Sequence, residues 1–409
     1  SIFAKIQFIM KKSLLLFLSI SSVFQMKAQI NYDEVLGGNL NTITTAVPFL
    51  LISPDSRSGA MGDVGVATTP DASSMHWNPA KLSFTRDDIG ISVSIVPWLR
   101  ELVPDINLQY IGGYYKLNEN EAIGYELRYF SLGDITFTDI SGNVIGQYKP
   151  NEMAIGSAYS RKLSRNFSLA ISGRYIYSNL TGGQSAGGTE TVAGQSIATD
   201  VSTFYTKPIS IANKKSDLSF GMNISNIGNK ISYTETITRD FIPINLRLGT
   251  DLTTKMDDYN KISLSFDLNK LLVPSPPLYN NDGEMIAGKD PNVAVVEGMF
   301  QSFGDAPGEI DENGNPVSGS VFREEMREIN ISAGLEYWYA NQFALRAGYF
   351  HEHDTKGGRK YLTFGSGVKY NVFALDFSYL ISTSNIGGTN PLANTMRFTL
   401  VFDLGAMGS

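Results

Sequence analysis

The chain contains no cysteine. That excludes a disulfide scaffold, a thiolate zinc site and a cysteine nucleophile. It has three histidines, so few catalytic arrangements are open to it. Charge is also sparse: 18% of residues are charged, against roughly 25% in an average soluble domain. The formal net charge is −7 and no basic stripe occurs, which argues against nucleic-acid binding. Outside the N-terminus no apolar run approaches the roughly 18 residues of a membrane-spanning helix. What is abundant is glycine and aromatics: 39 Gly, 20 Tyr and 23 Phe in 409 residues. The mean hydropathy is nevertheless close to neutral, at −0.08. Apolar surface is therefore spread thinly along the chain, as it is in the strands of a β-barrel.

The N-terminal stretch from Met10 to Ala28 reads as an export signal. Lys11 and Lys12 form a positive region, Leu14 to Ile20 a short apolar core, and Ala28 a small residue before a cleavage point. Residues 1–9 lie upstream of the signal proper, and the mature chain is expected to begin near Gln29, outside the cytoplasm. With no cysteine after the signal, a lipoprotein anchor is not expected.

From Ile89 onward the apolar period is two. Ile89, Ile91, Val93 and Ile95 alternate with Gly90, Ser92 and Ser94, and Ile262, Leu264, Phe266 and Leu268 with Ser263, Ser265 and Asp267. Ile242, Ile244, Leu246 and Leu248 read as one face of a further strand. The segments fall at 89–96, 105–117, 121–131, 151–163, 167–180, 200–212, 217–224, 242–254, 260–270, 328–339, 342–353, 360–369, 372–382 and 395–403. The segment 200–212 is the least regular, because Pro208 interrupts it. Most are about 9 to 13 residues long, the length of tilted strands that cross a bilayer. Short turns alternate with long Gly-, Asn- and Pro-rich loops, and a soluble sandwich has no reason to sort its loops by parity. The sequence thus predicts an all-β fold, a 14-stranded antiparallel transmembrane β-barrel over 89–404. Its strands must close, because a sheet edge cannot face hydrocarbon.

Residues 29–88 precede the first strand and are expected to form a plug or hatch inside the barrel, with a short helix at Ala72–Trp77. Lumen-facing positions carry both signs: Glu126, Arg128, Arg174, Arg247, Asp267, Glu336, Arg346, Asp376 and Arg397. A filled interior suits that mixture better than an ion sieve, because buried charges need partners.

Chemistry-bearing constellations are few. His351 and His353 share one strand face and could converge on a metal with Asp354, but a polar rim between strand and loop explains them more simply. His351 could activate Ser366, giving a lipid A hydrolase, yet no nucleophile elbow supports this. Gly59, Gly62 and Gly65 lack the strand, helix and lysine of a phosphate loop. Asp311-Glu312-Asn313-Gly314-Asn315 lacks the spacing and terminal glutamate of a calcium loop. The reading is therefore of no catalytic residue, no cofactor and no metal. The extracellular loop 271–327 reads as a solvated, structureless segment, and its length marks it as the main partner-binding element. Candidate contacts are Trp98 and Leu99 in the first loop, and Pro276, Leu278 and Tyr279 in the longest.

One block is more specific. Pro48 to Ala67 runs PFLLISPDSRSGAMGDVGVA, followed by Pro70-Asp71-Ala72 and Trp77-Asn78-Pro79-Ala80-Lys81. It resembles the PorV family, outer-membrane components of the type IX protein secretion system. Asn78-Pro79-Ala80 is also similar to the tripeptide in the plug region of the long-chain fatty acid transporter family. The first resemblance implies a non-enzymatic adaptor in the outer membrane. Such proteins receive cargo bearing a C-terminal signal domain from the translocon barrel. They deliver it to a sortase-like attachment complex that joins it to lipopolysaccharide. The implied partners are that translocon, that cargo, the attachment complex and outer-membrane lipid or lipopolysaccharide, with no nucleic acid. The second resemblance implies the alternative, a transporter of fatty acids or other hydrophobic small molecules.

Overall fold

The computed structural model describes residues 40–99, 105–138, 141–183, 191–234, 239–280, 282–311, 317–383 and 394–405. The export signal and most of the Asp311–Asn315 stretch lie outside them.

The strands follow from the alternation. They are β1 (Ile89–Pro97), β2 (Asn107–Asn118), β3 (Glu121–Ser131), β4 (Ile135–Thr138), β5 (Val144–Tyr148), β6 (Asn151–Lys162), β7 (Phe167–Asn179), β8 (Gly194–Ile211) and β9 (Lys214–Gly228). There follow β10 (Asn245–Lys255), β11 (Asn260–Leu271), β12 (Leu278–Tyr279), β13 (Met285–Ala287), β14 (Asn330–Tyr339), β15 (Phe343–His351), β16 (Lys360–Tyr370), β17 (Phe373–Ser382) and β18 (Met396–Asp403). Fourteen of them close into one antiparallel barrel, in which β1 pairs with both β2 and β18. The pairs β4–β5 and β12–β13 are hairpins within long loops, outside the barrel.

Two short turns show how the register is set. Ala212-Asn213 and Ala340-Asn341 hold both central residues at positive φ, between 49° and 62°. That is the geometry of a two-residue hairpin turn whose twist matches the strands. On the outer wall, Tyr115, Tyr259, Tyr339, Phe343, Tyr370 and Phe373 form an aromatic girdle near the short turns. Tyr129, Tyr175 and Tyr349 lie toward the long loops. Two girdles flanking an apolar band mark the bilayer interfaces.

Three details differ from the sequence reading. β8 begins at Gly194, six positions earlier than expected, and Pro208 does not break it. β7 begins at Phe167 opposite Tyr205, and the Asn166 carbonyl accepts one more amide, from Thr206, so at Pro208 β8 pairs only with β9. A proline there removes no ladder hydrogen bond that a neighbour needs. Second, Ile242 and Ile244 precede β10 and are buried in an inner apolar cluster instead of forming its outer face. Third, the long loop is not structureless: it holds β12–β13 and two of the helices described below.

Inside the wall, residues 41–88 contribute helices α1 (Ser56–Gly59) and α2 (Ser74–Trp77) and two 3-10 turns at Pro48–Leu51 and Pro79–Phe84. The long loop contributes α3 (Val295–Gln301) and α4 (Ser320–Arg327). The largest apolar cluster lies at the long-loop end, where Val47, Phe49 and Leu50 meet the inward ends of strands at Val96, Leu108, Phe130 and Ile176.

Candidate functional site: the filled lumen and the outer cap

The N-terminal segment is held by side chains from strands on several sides of the barrel. Asn78 caps the 3-10 turn that follows it: its Oδ1 accepts from the Ala80 amide at 3.0 Å. Its Nδ2 donates to the carbonyls of Val66 and of Thr203 on β8, both at 2.9 Å. The Ala80 carbonyl accepts from Ser160 on β6 at 3.1 Å and Ser168 on β7 at 2.6 Å. Pro79 supplies the preset φ and missing donor that suit a first helical position. The Asn78-Pro79-Ala80 tripeptide is therefore the joint between this segment and the β6–β8 wall. On the opposite side the turn at Met61-Gly62, where Gly62 has φ +70°, presses on β15. A Cβ at Gly348 would stand 2.0 Å from the Met61 carbonyl carbon, so that wall position admits no side chain.

Between these contacts the lumen is ionic. All nine charged residues assigned to it from sequence face inward and are no more than 6% exposed. Arg174 bonds Glu126 at 2.7 Å and Asp200 at 3.0 Å, and Arg346 bonds Glu336 at 2.7 Å and Asp376 at 2.6 Å. From the N-terminal segment, Arg57 reaches Glu336 at 2.9 Å and Asp71 at 2.7 Å. His76 meets Arg128, and Arg247 lies 4.9 Å from the Trp77 ring centroid. Breaking one member of such a buried set is expensive, whereas the intact set chiefly fixes geometry.

The outer cap is the unusual element. An ordinary surface helix buries apolar residues and exposes charge. α4 does the reverse: Glu324 and Glu325 are 9% and 4% exposed, while Phe322 and Met326 are 69% and 47% exposed. The buried acids are tied down by cations and amides. Lys270 of β11 donates to Glu325 at 3.0 Å and to Glu328 at 2.6 Å. Lys356 donates to Glu324 at 2.6 Å and to Glu328 at 3.0 Å. Asn41 Nδ2 donates to Glu324 at 3.0 Å, joining the N-terminal segment to the same knot. Asp305 is buried beside it, accepting from the Ser275 amide at 3.1 Å. Burial raises its pKa to about 6, and Glu325 and Glu328 add to the rise. α3 is seated by Gly298 against Phe241 and Pro274 and turns Val296 and Phe300 outward. Phe303, just beyond α3, is also exposed. Single exposed apolar residues are ordinary; several on one folded loop make it a candidate interaction surface.

The residues proposed from sequence fall unevenly on this surface. Tyr279 is exposed on the β12–β13 hairpin, and Leu278 and Pro276 are half-buried. The Pro276 carbonyl accepts from Asn41 at 3.1 Å. Trp98 and Leu99 are half-buried against the apolar clusters of the barrel mouth and belong to its packing. Phe300, Phe303, Phe322 and Met326 were not singled out from sequence. A seven- or eight-residue helix leaves too short a period, and an acidic loop reads as solvated.

Among the other candidates, His353 caps the 3-10 turn Asp354–Lys356, its ring accepting from the Thr355 amide. Among the described residues no group of three or more His, Asp or Glu is placed to hold a metal. His351 pairs with Lys360 and Ser366 with Leu345, six positions apart along β16, so those two side chains do not meet.

Three comparisons with known proteins bear on identity. No curated relative matches. Solved structures of similar shape include the Ralstonia pickettii toluene transporter TbuX, 10% identical, with a TM-score of 0.46 and 89% of this chain and 98% of that chain covered. The Pseudomonas putida toluene transporter TodX is 12% identical, with a TM-score of 0.44 and coverage of 86% and 97%. A Pseudomonas aeruginosa FadL homologue is 11% identical, with a TM-score of 0.41 and coverage of 89% and 99%. The family model described as type IX secretion system protein PorV matches residues 37–278, more than half the chain and including the whole Pro48–Lys81 block. The chain therefore belongs to the PorV family of type IX secretion proteins and is a β-barrel of the outer membrane.

Proposed function

We propose that this protein is a non-enzymatic adaptor that takes cargo bearing a C-terminal signal domain from the type IX translocon barrel. It presents that cargo to the sortase-like attachment complex at the cell surface. The observation that carries this reading is the inside-out helix α4, whose acids are buried and whose Phe322 and Met326 face water. Exposing those side chains is unfavourable by roughly 25 cal/mol per Å² unless a partner covers them. Phe300, Phe303 and Tyr279 are further exposed apolar side chains of the same long loop. Residues 41–88 act in this reading as a plug that closes the lumen, so the barrel serves as a membrane anchor for its outer loops. The ion-paired interior favours that role over a conduit.

The test replaces Phe300 and Phe322 with Ser, leaving Lys270, Lys356 and the buried glutamates intact. The double variant should still reach the outer membrane and migrate as a heat-modifiable barrel. Surface-attached cargo should fall at least tenfold, and the protein should no longer co-purify with the translocon or with cargo. Wild-type levels of attached cargo would remove the cap from the docking role.

A further inference from the structure

Beneath the N-terminal segment, at the short-turn end of the barrel, lies a cavity of about 490 Å³. It is walled by the underside of residues 55–87 and by the inward faces of β8–β11 and β14–β18. Most charges around it are already paired. Arg57 is held by Asp71 and Glu336, Arg346 by Glu336 and Asp376, and Lys369 by Asp403 at 2.5 Å.

In the roof, the buried carboxylate of Asp55 accepts from the Ser58 amide and Trp77 Nε1 without an ion pair. In the barrel wall two charged side chains are likewise without a bonded counter-charge. Asp251 of β10 is 2% exposed and accepts from the hydroxyls of Thr253 at 2.9 Å and Ser265 at 2.5 Å, with no cation bonded to it. Lys261 of β11 is half-buried and rests 5.5 Å from the centroid of the Trp338 ring, without a bonded carboxylate. Asp251 pairs in register with Ser265, four positions from Lys261. That separates the two backbones by roughly 13 Å along the strand. The two side chains form no direct ion pair, and the gap matches the reach of a small molecule that carries both charges. Apolar walls stand beside it: Phe84 and Phe204 meet edge-on at 5.5 Å, and Trp338 lies on the other flank. At the mouth, exposed Asp217 and Arg86 repeat the same two signs.

We propose that this cavity is a binding site, open to the periplasm, for a short zwitterionic peptide. The peptide ammonium sits at Asp251, its terminal carboxylate at Lys261, and an apolar side chain against the aromatic walls. A buried carboxylate and a half-buried ammonium without counter-charges are costly to keep, and such a ligand neutralises both at once. An uncharged solute would leave both uncompensated. A purely anionic or purely cationic one would neutralise one and leave the other.

The experiment uses the full chain in lipid nanodiscs, with the dipeptide Ala-Phe as probe and N-acetyl-Ala-Phe-amide as its uncharged counterpart. Titration calorimetry should show saturable binding of Ala-Phe and at least tenfold weaker binding of the blocked form. Asp251→Asn and Lys261→Met should each weaken Ala-Phe binding at least tenfold, and the Trp fluorescence change on binding should vanish in Trp338→Phe. Heat-modifiable migration identifies any variant that fails to fold, and Lys261→Met, at a half-buried site, carries the test where Asp251→Asn does not assemble. No saturable binding of Ala-Phe to the wild type at millimolar concentration would overturn the proposal, as would equal binding of the blocked peptide.

Discussion

At the scale of single residues, function rests on side chains whose polar atoms are spent inside the molecule. Asn78 satisfies two carbonyls and one amide in a fully buried position. Asn78→Ala should leave the Val66 and Thr203 carbonyls unpaired and cost about 2–3 kcal/mol, given the penalty for orphaned buried polar groups. Denaturant unfolding of the refolded barrel measures it. Asp305 gives a pH signature. Its carboxyl is raised to about 6 by burial in the cap, so the folded cap binds its proton more tightly than the unfolded loop does. That contribution is fully present below the ordinary carboxylate range and is lost as pH rises through about 6. Protection factors of the α3 and α4 amides, taken relative to the intrinsic exchange rate at each pH, should therefore be lower at pH 8 than at pH 5, and Asp305→Asn should flatten the difference. Equal slopes in wild type and variant would assign the dependence to another group. The tripeptide around Asn78 was legible as a motif in the sequence. That its partners are Ser160, Ser168 and Thr203, on three strands, was not, because those contacts span up to 125 positions.

At the scale of elements, the strands and the cap show opposite degrees of legibility. A strand in a bilayer has one lipid face and one lumen face, so its alternation is visible in a single stretch such as Lys261–Leu268. β8 was misjudged at its start because Thr199 and Thr203 interrupt the apolar rhythm on its outer face, and at Pro208 because edge position is a property of the neighbour β7. α4 was illegible for a stronger reason. Its polar residues are the buried ones, and what buries them is Lys270 from β11 and Lys356 from another loop. Lys356→Met should leave Glu324 without a bonded cation and Glu328 with Lys270 alone, and cost about 3–5 kcal/mol, the usual penalty for breaking a buried pair. The readout is local: limited proteolysis should nick 272–329 in the variant while the barrel keeps its heat-modifiable migration. An uncut cap would show that the apolar seat of α3 on Phe241 suffices to hold it.

At the scale of the whole molecule, the barrel is a closed wall around an interior filled from the N-terminal side. If residues 41–88 are the plug, the intact protein should pass no steady current in a planar bilayer. A variant lacking them should open a stable conductance, and silence in both would mean that the wall collapses inward or that other loops close it. The sequence by itself determined the barrel, its strand number and the sign mixture of its lumen. Each of these is imposed locally, by a hydrocarbon solvent that demands alternation and closure. It also marked residues 48–81 as the family block, because that block is continuous. Only the tertiary structure decided which apolar residues of the long loop face outward. Phe322 is exposed because buried ion pairs hold α4 inside out, pairs that join residues up to 58 positions apart, with Asn41 adding a hydrogen bond across 283 positions. Phe300 is exposed because Gly298 seats α3 on Phe241 and Pro274. The same holds for the paired and unpaired charges beneath residues 55–87: Arg346 is paired and Lys261 and Asp251 are not because of what the closed wall and the N-terminal segment place beside each.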